Sequence, residues 1–243
     1  MMSFSDKKVI IVGASSGIGR ELAVLYSKAG WRAGVTGRRG ELLDELKKNY
    51  PGQIETAVFD VMGNDNIFHL RSLIDKLHGL DLFIYNAGYG EVSKELDPTI
   101  ERATVLTNVN GFVEMVDYAF NYFQQQGHGQ IAATSSIASL AGNHFAPAYS
   151  ASKAFMSNYM EGLYLKAKKQ KLRIFITDIQ PGFVQTKMAK GPGRFWEAPA
   201  SKAAKQMVQA IEAKKFRVYI TRRWWLIAQL IKMLPGWLYR ALA

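Results

Sequence analysis

Seven short apolar runs, separated by segments of helical periodicity, limit this chain to few folds. The runs are KVIIVGA, RAGVTGR, IETAVFDV, LDLFIYNAG, GQIAATSS, RIFITDIQPG and FRVYIT. Each is nearly continuous in apolar character, as a strand is when both of its faces are covered. Between them, stretches such as Gly19–Ala29, Asp65–Leu77 and Thr99–Gln125 carry apolar residues at three-to-four spacing. Strand–helix alternation with right-handed crossovers gives a doubly wound α/β domain, a parallel seven-stranded sheet with helices on both faces. A length of 243 residues suits one such domain. Residues 1–221 are therefore expected to form a single domain, with residues 222–243 left as an apolar and basic tail. Ligands of such sheets bind beyond the carboxyl ends of the strands, so the chemistry should lie just after them.

The first run ends in GASSGIGR, which spaces Gly13, Gly17 and Gly19 as G-x-x-x-G-x-G around Ser15, Ser16 and Ile18. Glycines there let the backbone turn tightly and approach a pyrophosphate at the positive N-terminus of the next helix. No lysine follows the last glycine, so the residue that a nucleotide triphosphatase places on phosphate is missing. The second run ends in TGRR. An acid at this point would hold a ribose 2′-hydroxyl, but Gly37 stands there, followed by Arg38 and Arg39. Two guanidinium forks suit a 2′-phosphate, with Arg38 expected in contact with it and Arg39 assisting or stacking on adenine, and hence NADP(H) over NAD(H).

Charge and cysteine content narrow the partners. The net charge of +11 favours an anionic cofactor or an acidic membrane surface. The bases are scattered and no nucleic-acid-binding module is visible, so no nucleic acid partner is expected. The absence of cysteine excludes disulfides and thiolate metal sites, and no metal is expected. The opening MMSFSDKKVIIVGAS has no apolar signal core, so the expected location is cytoplasmic.

The segment AYSASKAF sets Tyr149 and Lys153 four residues apart, on one helical face and one turn from each other. Ser150, Ala151 and Ser152 between them keep the surroundings shallow. Taken alone, the pair suits an ordinary amphipathic helix equally well. In order along the chain, however, stand GASSGIG, NAG, TSS, YSASK and PGFVQT, four of them straight after the first, fourth, fifth and sixth strands and YSASK on a helix. This set resembles the short-chain dehydrogenase/reductase family from about Val9 to Thr186 and on through Thr221.

The resemblance implies a Rossmann-type fold, a nicotinamide cofactor and a role for each matching residue. Tyr149 matches the catalytic acid/base, and Lys153 the lysine that holds the ribose and lowers the phenol pKa. Ser136 matches the serine that orients the substrate carbonyl, with Ser135 and Ser139 as its nearest competitors. Asn108 matches the asparagine that holds a proton-relay water. Asp60 and Val61 match an adenine-binding pair, Asn86, Ala87 and Gly88 line the cofactor, and Pro181, Gly182, Val184 and Thr186 hold the nicotinamide. Two departures affect structural hydrogen bonds: Val12 replaces a threonine before the first glycine, and Tyr85 replaces an asparagine before Asn86. A phenol has a pKa near 10, and a nearby cation lowers it by roughly 1–3 units. The implied activity is interconversion of a carbonyl and a secondary alcohol by an NADP(H)-dependent oxidoreductase. An epimerase or dehydratase on the same pair, and a non-catalytic NADP(H)-binding regulator, are the alternatives.

Three further expectations come from apolar residues outside the strands. Phe195, Trp196 and Met188, in a long loop over residues 183–200, favour a hydrophobic substrate unless they merely anchor the loop. Phe112, Tyr118, Phe120, Phe155, Tyr159 and Tyr164 give two helices more than one apolar face, and relatives pair through these helices, so a homodimer or homotetramer is expected. The tail, apolar from Trp224 to Leu234 except for Gln229 and Lys232, is too short to span a bilayer. It either packs on its own domain, a subunit or the substrate pocket, or it makes peripheral contact with the inner face of a membrane.

Overall fold

The structure, a computed structural model, describes residues 7–93, 95–186 and 195–242. Seven parallel strands form one sheet: β1 (Lys8–Val12), β2 (Arg32–Gly37), β3 (Ile54–Val58), β4 (Leu82–Tyr85), β5 (His128–Thr134), β6 (Arg173–Pro181) and β9 (Arg217–Ile220). Their order is β3-β2-β1-β4-β5-β6-β9, so the winding reverses between β1 and β4 and opens a crevice at their carboxyl ends. All seven runs of the sequence are strands. β7 (Val184–Gln185) and β8 (Ala198–Pro199) make a separate short parallel ladder that closes the base of the long loop. Met188 lies outside the described residues.

Each sheet face has its own core. Ile10, Val12, Phe83 and Tyr85 point to one side, against α3 (Asn66–Leu77), α5 (Gly111–Gln126) and α6 (Pro147–Lys169). Val9, Ile11, Leu82 and Ile84 point to the other, against α1 (Gly17–Lys28), α2 (Gly40–Asn49) and α7 (Ala200–Glu212). Every residue of β4 is thus buried, which is why its run shows no alternation.

The stretch Thr99–Gln125, continuous in periodicity, is not a single regular helix. α4 (Pro98–Val105) starts with Pro98 at its first position, and the Asp97 carboxylate accepts from the Thr99 amide at 2.8 Å. A π-helical turn over Leu106–Asn110 then separates it from α5. Such a turn frees a backbone carbonyl, and the Tyr85 hydroxyl donates to that of Thr107 at 2.6 Å. The tyrosine that departs from the family pattern therefore ties β4 to the turn bearing Asn108, and burial pushes its own pKa up.

The tail forms α8 (Trp224–Met233) and, after Pro235, α9 (Gly236–Leu242). Trp224 and Ala228 are buried against the domain, Lys232 donates to the Tyr219 hydroxyl at 3.1 Å, and the Tyr239 hydroxyl donates to the Gly142 carbonyl at 2.5 Å. Of the aromatic residues expected at a subunit contact, Phe112 and Phe120 are consumed by the protomer's own core, while Phe155 stays exposed. Among the described residues no helix is long and apolar enough to cross a membrane.

Candidate active site

At the carboxyl edge of the sheet the glycine turn sits between β1 and α1. Gly13 has φ +84° and Gly17 φ +59°, a region other residues rarely adopt. A Cβ on Gly13 would lie 2.7 Å from the Ala87 backbone, and one on Gly17 would lie 3.2 Å from Thr186 Cγ2. The turn is thus pressed between the segments after β4 and β6, so three of the sequence motifs meet here. The Asn86 side chain locks the arrangement, donating to the Gly13 carbonyl at 3.0 Å and accepting from the Thr134 hydroxyl at 3.1 Å. α1 begins at Gly17 with no side-chain cap and no acid in its first turn, leaving its amide donors facing the crevice.

The two arginines after β2 behave differently. Arg39 Nη2 donates to the hydroxyls of both Ser15 and Ser16, at 2.7 Å each, so its guanidinium lies on the glycine turn. Arg38 turns to Asp60, 3.5 Å away, and is largely exposed. Asp60 also accepts from the Met62 amide at 3.1 Å, and the Val61 carbonyl accepts from Asn66 at 3.1 Å.

Tyr149, Ser136 and Lys153 come together beside this crevice. Pro147 starts α6, and Glu101 from α4 accepts the Ala148 amide at 3.1 Å, supplying the acid that the helix's own first turn lacks. Ser136 ends the segment after β5; its hydroxyl accepts from the Ala138 amide at 3.1 Å, and its side chain lies close enough to Tyr149 to pull the phenol pKa down. The competing serines point elsewhere. Ser135 donates to Asp178 at 2.5 Å within the core, and the Ser139 hydroxyl is buried without a partner. Lys153 is buried, donates to the Thr134 carbonyl at 2.9 Å, and holds its ammonium 5.8 Å from the Tyr149 ring centre. Asn108 spends its amide locally: it donates to the Tyr89 carbonyl at 2.7 Å and to Ser152 at 2.9 Å, and accepts the Tyr89 amide at 2.9 Å.

The electrostatics depart from the sequence expectation. Burial pushes the Tyr149 phenol up, and the Ser136 side chain offsets only part of that. Lys153 is itself pushed down to about 7 by burial, against the opposing pull of Asp178. Lys153 is not among the influences that lower the phenol. Burial thus favours the neutral form of both groups.

Four participants escape sequence reasoning. Gly90 lies flat on the Tyr149 ring, where a Cβ would come within 2.8 Å of Cγ and nearer still to Cδ2. The backbone of Tyr89 is the partner of Asn108. Asp178, fully buried, gathers Ser135, Ser157, Gln180 and Arg217, the last at 3.0 Å. Trp224 packs its indole against Gly182 and is ringed by Phe183, Phe195 and Trp196 at 5.5, 5.0 and 6.2 Å. Only Gly90 left a signal, the recurring glycine of NAGYG. A cleft lined by Phe123, Gly127, Lys171 and Arg173 opens at the opposite, amino edge of the sheet, away from all of these groups. No group of three or more metal-ligating side chains occurs among the described residues.

Comparison with known proteins agrees with this geometry. The model of the short chain dehydrogenases matches residues 7–194. An uncharacterized oxidoreductase of Mycobacterium tuberculosis is 29% identical over 238 residues, 94% of this chain and 92% of the relative. One from Myxococcus xanthus is 32% identical over 194 residues, 77% of this chain and 76% of its own. Among solved structures, a short chain dehydrogenase from Bacillus anthracis superposes with a TM-score of 0.80 at 23% identity, covering 90% of this chain and 97% of its own. A 3-ketoacyl-(acyl-carrier-protein) reductase from Brucella melitensis, solved with NADH, gives 0.79 at 18% identity, covering 90% and 99%. At these identities the superpositions speak to the fold alone.

Proposed function

The chain belongs to the short-chain dehydrogenase family of oxidoreductases, and from that premise we propose that it interconverts a carbonyl and a secondary alcohol using NADP(H). The observation that carries the proposal is the meeting of Tyr149, Ser136 and buried Lys153 beside an uncapped helix N-terminus.

The residues of the crevice fit a dinucleotide phosphate. Gly13, Gly17 and Gly19, with Ser15, Ser16 and Ile18, offer a side-chain-free approach to the α1 amides. Arg39, held over Ser15 and Ser16, is the main candidate for a 2′-phosphate, with Arg38 assisting. Asp60 and Val61 would flank the adenine, Asn86, Ala87 and Gly88 the middle of the cofactor, and Lys153 the ribose. Pro181, Gly182, Val184 and Thr186 would hold the nicotinamide. The bound nicotinamide supplies or accepts the hydride.

The rest of the chemistry falls to the chain's own groups. In reduction, Ser136 donates to the carbonyl oxygen as negative charge builds there, and the Tyr149 phenol delivers the proton to that oxygen. A phenol pushed up by burial stays protonated at neutral pH, the form that this direction needs. Lys153, once charged, stabilises the phenolate left behind and returns it a proton path. Asn108, fixed to the Tyr89 backbone, holds the loop over α6 and keeps Tyr149 in place.

Phe195 and Trp196 each use one face on Trp224 and keep substantial surface outward, which favours a hydrophobic carbonyl compound as substrate. A cytoplasmic homodimer or homotetramer paired through α5 and α6 completes the reading, with Phe155 and Leu165 still exposed on α6; a monomer in light scattering would contradict it.

The decisive test is NADPH oxidation against ketosteroids, acyl ketones, quinones and sugars, together with titrations of NADPH and NADH. Arg39→Ala should weaken NADPH by about 10–100-fold, the loss of a charge-assisted phosphate contact, and NADH far less. Equal losses for both cofactors would mean that the arginine only supports the turn.

A further inference from the structure

The tail is attached by one side only. Trp224 and Ala228 face the domain, while Leu226, Leu230 and Met233, at i, i+4 and i+7, make a stripe on the opposite side of α8. Trp225 lies beside that stripe, and α9 adds Trp237. These five side chains are between 52% (Trp225) and 81% (Met233) exposed. An apolar helix face belongs in a core or in lipid, and the core takes only the side of α8 that bears Trp224 and Ala228. The stripe needs a cover.

Charge decides what covers it. Residues 222–243 contain Arg222, Arg223, Lys232 and Arg240 and no acid. A second copy meeting the same face across a two-fold axis would bring like charges together with nothing to neutralise them. An anionic lipid surface meets the same bases with phosphate, and tryptophans settle at headgroup depth. Length decides the posture. α8 has 10 residues and α9 has 7, about 15 Å and 10 Å of helix, broken at Pro235, against a hydrocarbon core of about 30 Å. Helices of that size lie in the interface plane. The hold on the domain is firm, since Trp224 is locked among Phe183, Phe195 and Trp196, and Tyr239 is bonded to Gly142.

We propose that the outward face of α8 and α9 docks on an anionic bilayer, with Leu226, Leu230, Met233, Trp225 and Trp237 entering the interface and Arg222 and Arg240 meeting lipid phosphates, while Arg223 and Lys232 are held by Trp196 and Tyr219 of the domain. This holds whether or not the chain reduces carbonyls, because the surface is separate from Tyr149 and Lys153.

The test is cosedimentation of the full chain with vesicles of phosphatidylcholine alone and with about one-third phosphatidylglycerol. The protein should pellet with the anionic vesicles at low salt, release as salt rises, and shift its tryptophan emission to the blue. Leu226→Glu with Leu230→Glu should reduce partitioning by about a hundredfold or more, since two apolar anchors are lost. Arg222→Gln with Arg240→Gln, which leaves the apolar stripe intact, should reduce it by about tenfold, on anionic vesicles only. Full-length protein that stays in the supernatant with anionic vesicles at low salt would overturn the proposal. So would a leucine double variant that pellets like the parent. A leucine double variant that halves the mass in light scattering, from a parent that ignores vesicles, would assign the face to a second copy instead.

Discussion

Gly90→Ala is a one-carbon change aimed at the geometry of Tyr149. The added Cβ would fall 2.8 Å from Cγ and 3.0 Å from Cε2 of the ring, and closer to Cδ2, where carbon atoms normally rest about 3.5–4.0 Å apart. About 1 Å must be found somewhere. The loop cannot easily supply it, because Asn108 grips both the amide and the carbonyl of neighbouring Tyr89. The ring must therefore move relative to Ser136 and Lys153. A shift of about 1 Å in a reacting group costs on the order of a hundredfold in turnover, and overpacking costs about 1–3 kcal/mol of stability. Cofactor affinity should change little, since the glycine turn and Arg39 are untouched. Gly162→Ala, on the helix that carries Tyr149 and with nothing within 4 Å of its Cβ, is the control and should gain about 0.5–1 kcal/mol. Steady-state kinetics on an accepted carbonyl, NADPH titration and urea unfolding read all three quantities. Parental turnover in Gly90→Ala would refute the close contact, and equal loss of turnover and NADPH binding would refute its restriction to Tyr149.

Two further changes probe the buried charges. Lys153, brought from its ordinary 10.5 to about 7, binds fewer protons folded than unfolded, so the cofactor-free protein should gain stability as pH rises from 7 toward 10. Lys153→Met should remove that gain, and a parent–variant difference in urea unfolding that is flat with pH would contradict it. Arg217→Met strands the fully buried Asp178 carboxylate and should cost about 3–5 kcal/mol, with partial recovery on adding Asp178→Asn, again by urea unfolding.

The sheet was legible because a strand covered on both faces must be apolar at every position, and that leaves a signal within a few residues. Runs such as LFIY in β4 need no knowledge of their neighbours to be recognised. The Tyr149–Lys153 pair was legible only beside the other four motifs, since its one-turn spacing alone suits an ordinary amphipathic helix. The π-helical turn at Leu106–Asn110 left no local signal, because its extra residue is stabilised by the Tyr85 hydroxyl from a distant strand. Gly90 on Tyr149, Trp224 on Gly182 and the Asp178 cluster are likewise meetings of segments far apart in sequence. The arginine pair was half legible: TGRR announces positive charge, but only the fold turns Arg39 onto the glycine turn and Arg38 toward Asp60. The protonation of the pair was not legible, since spacing puts a lysine near Tyr149 and says nothing of the burial that moves both pKa values.

The central claim is that Tyr149 moves the proton while the rest of the site holds the cofactor and carbonyl. Tyr149→Phe removes one hydroxyl and leaves the ring on Gly90. Stopped-flow loss of NADPH absorbance with an accepted ketone, beside an NADPH titration of the same preparation, separates chemistry from binding. The account predicts parental NADPH affinity with turnover reduced by about a hundred- to ten-thousandfold. A phenylalanine variant that reduces the ketone within a few-fold of the parental rate would contradict it.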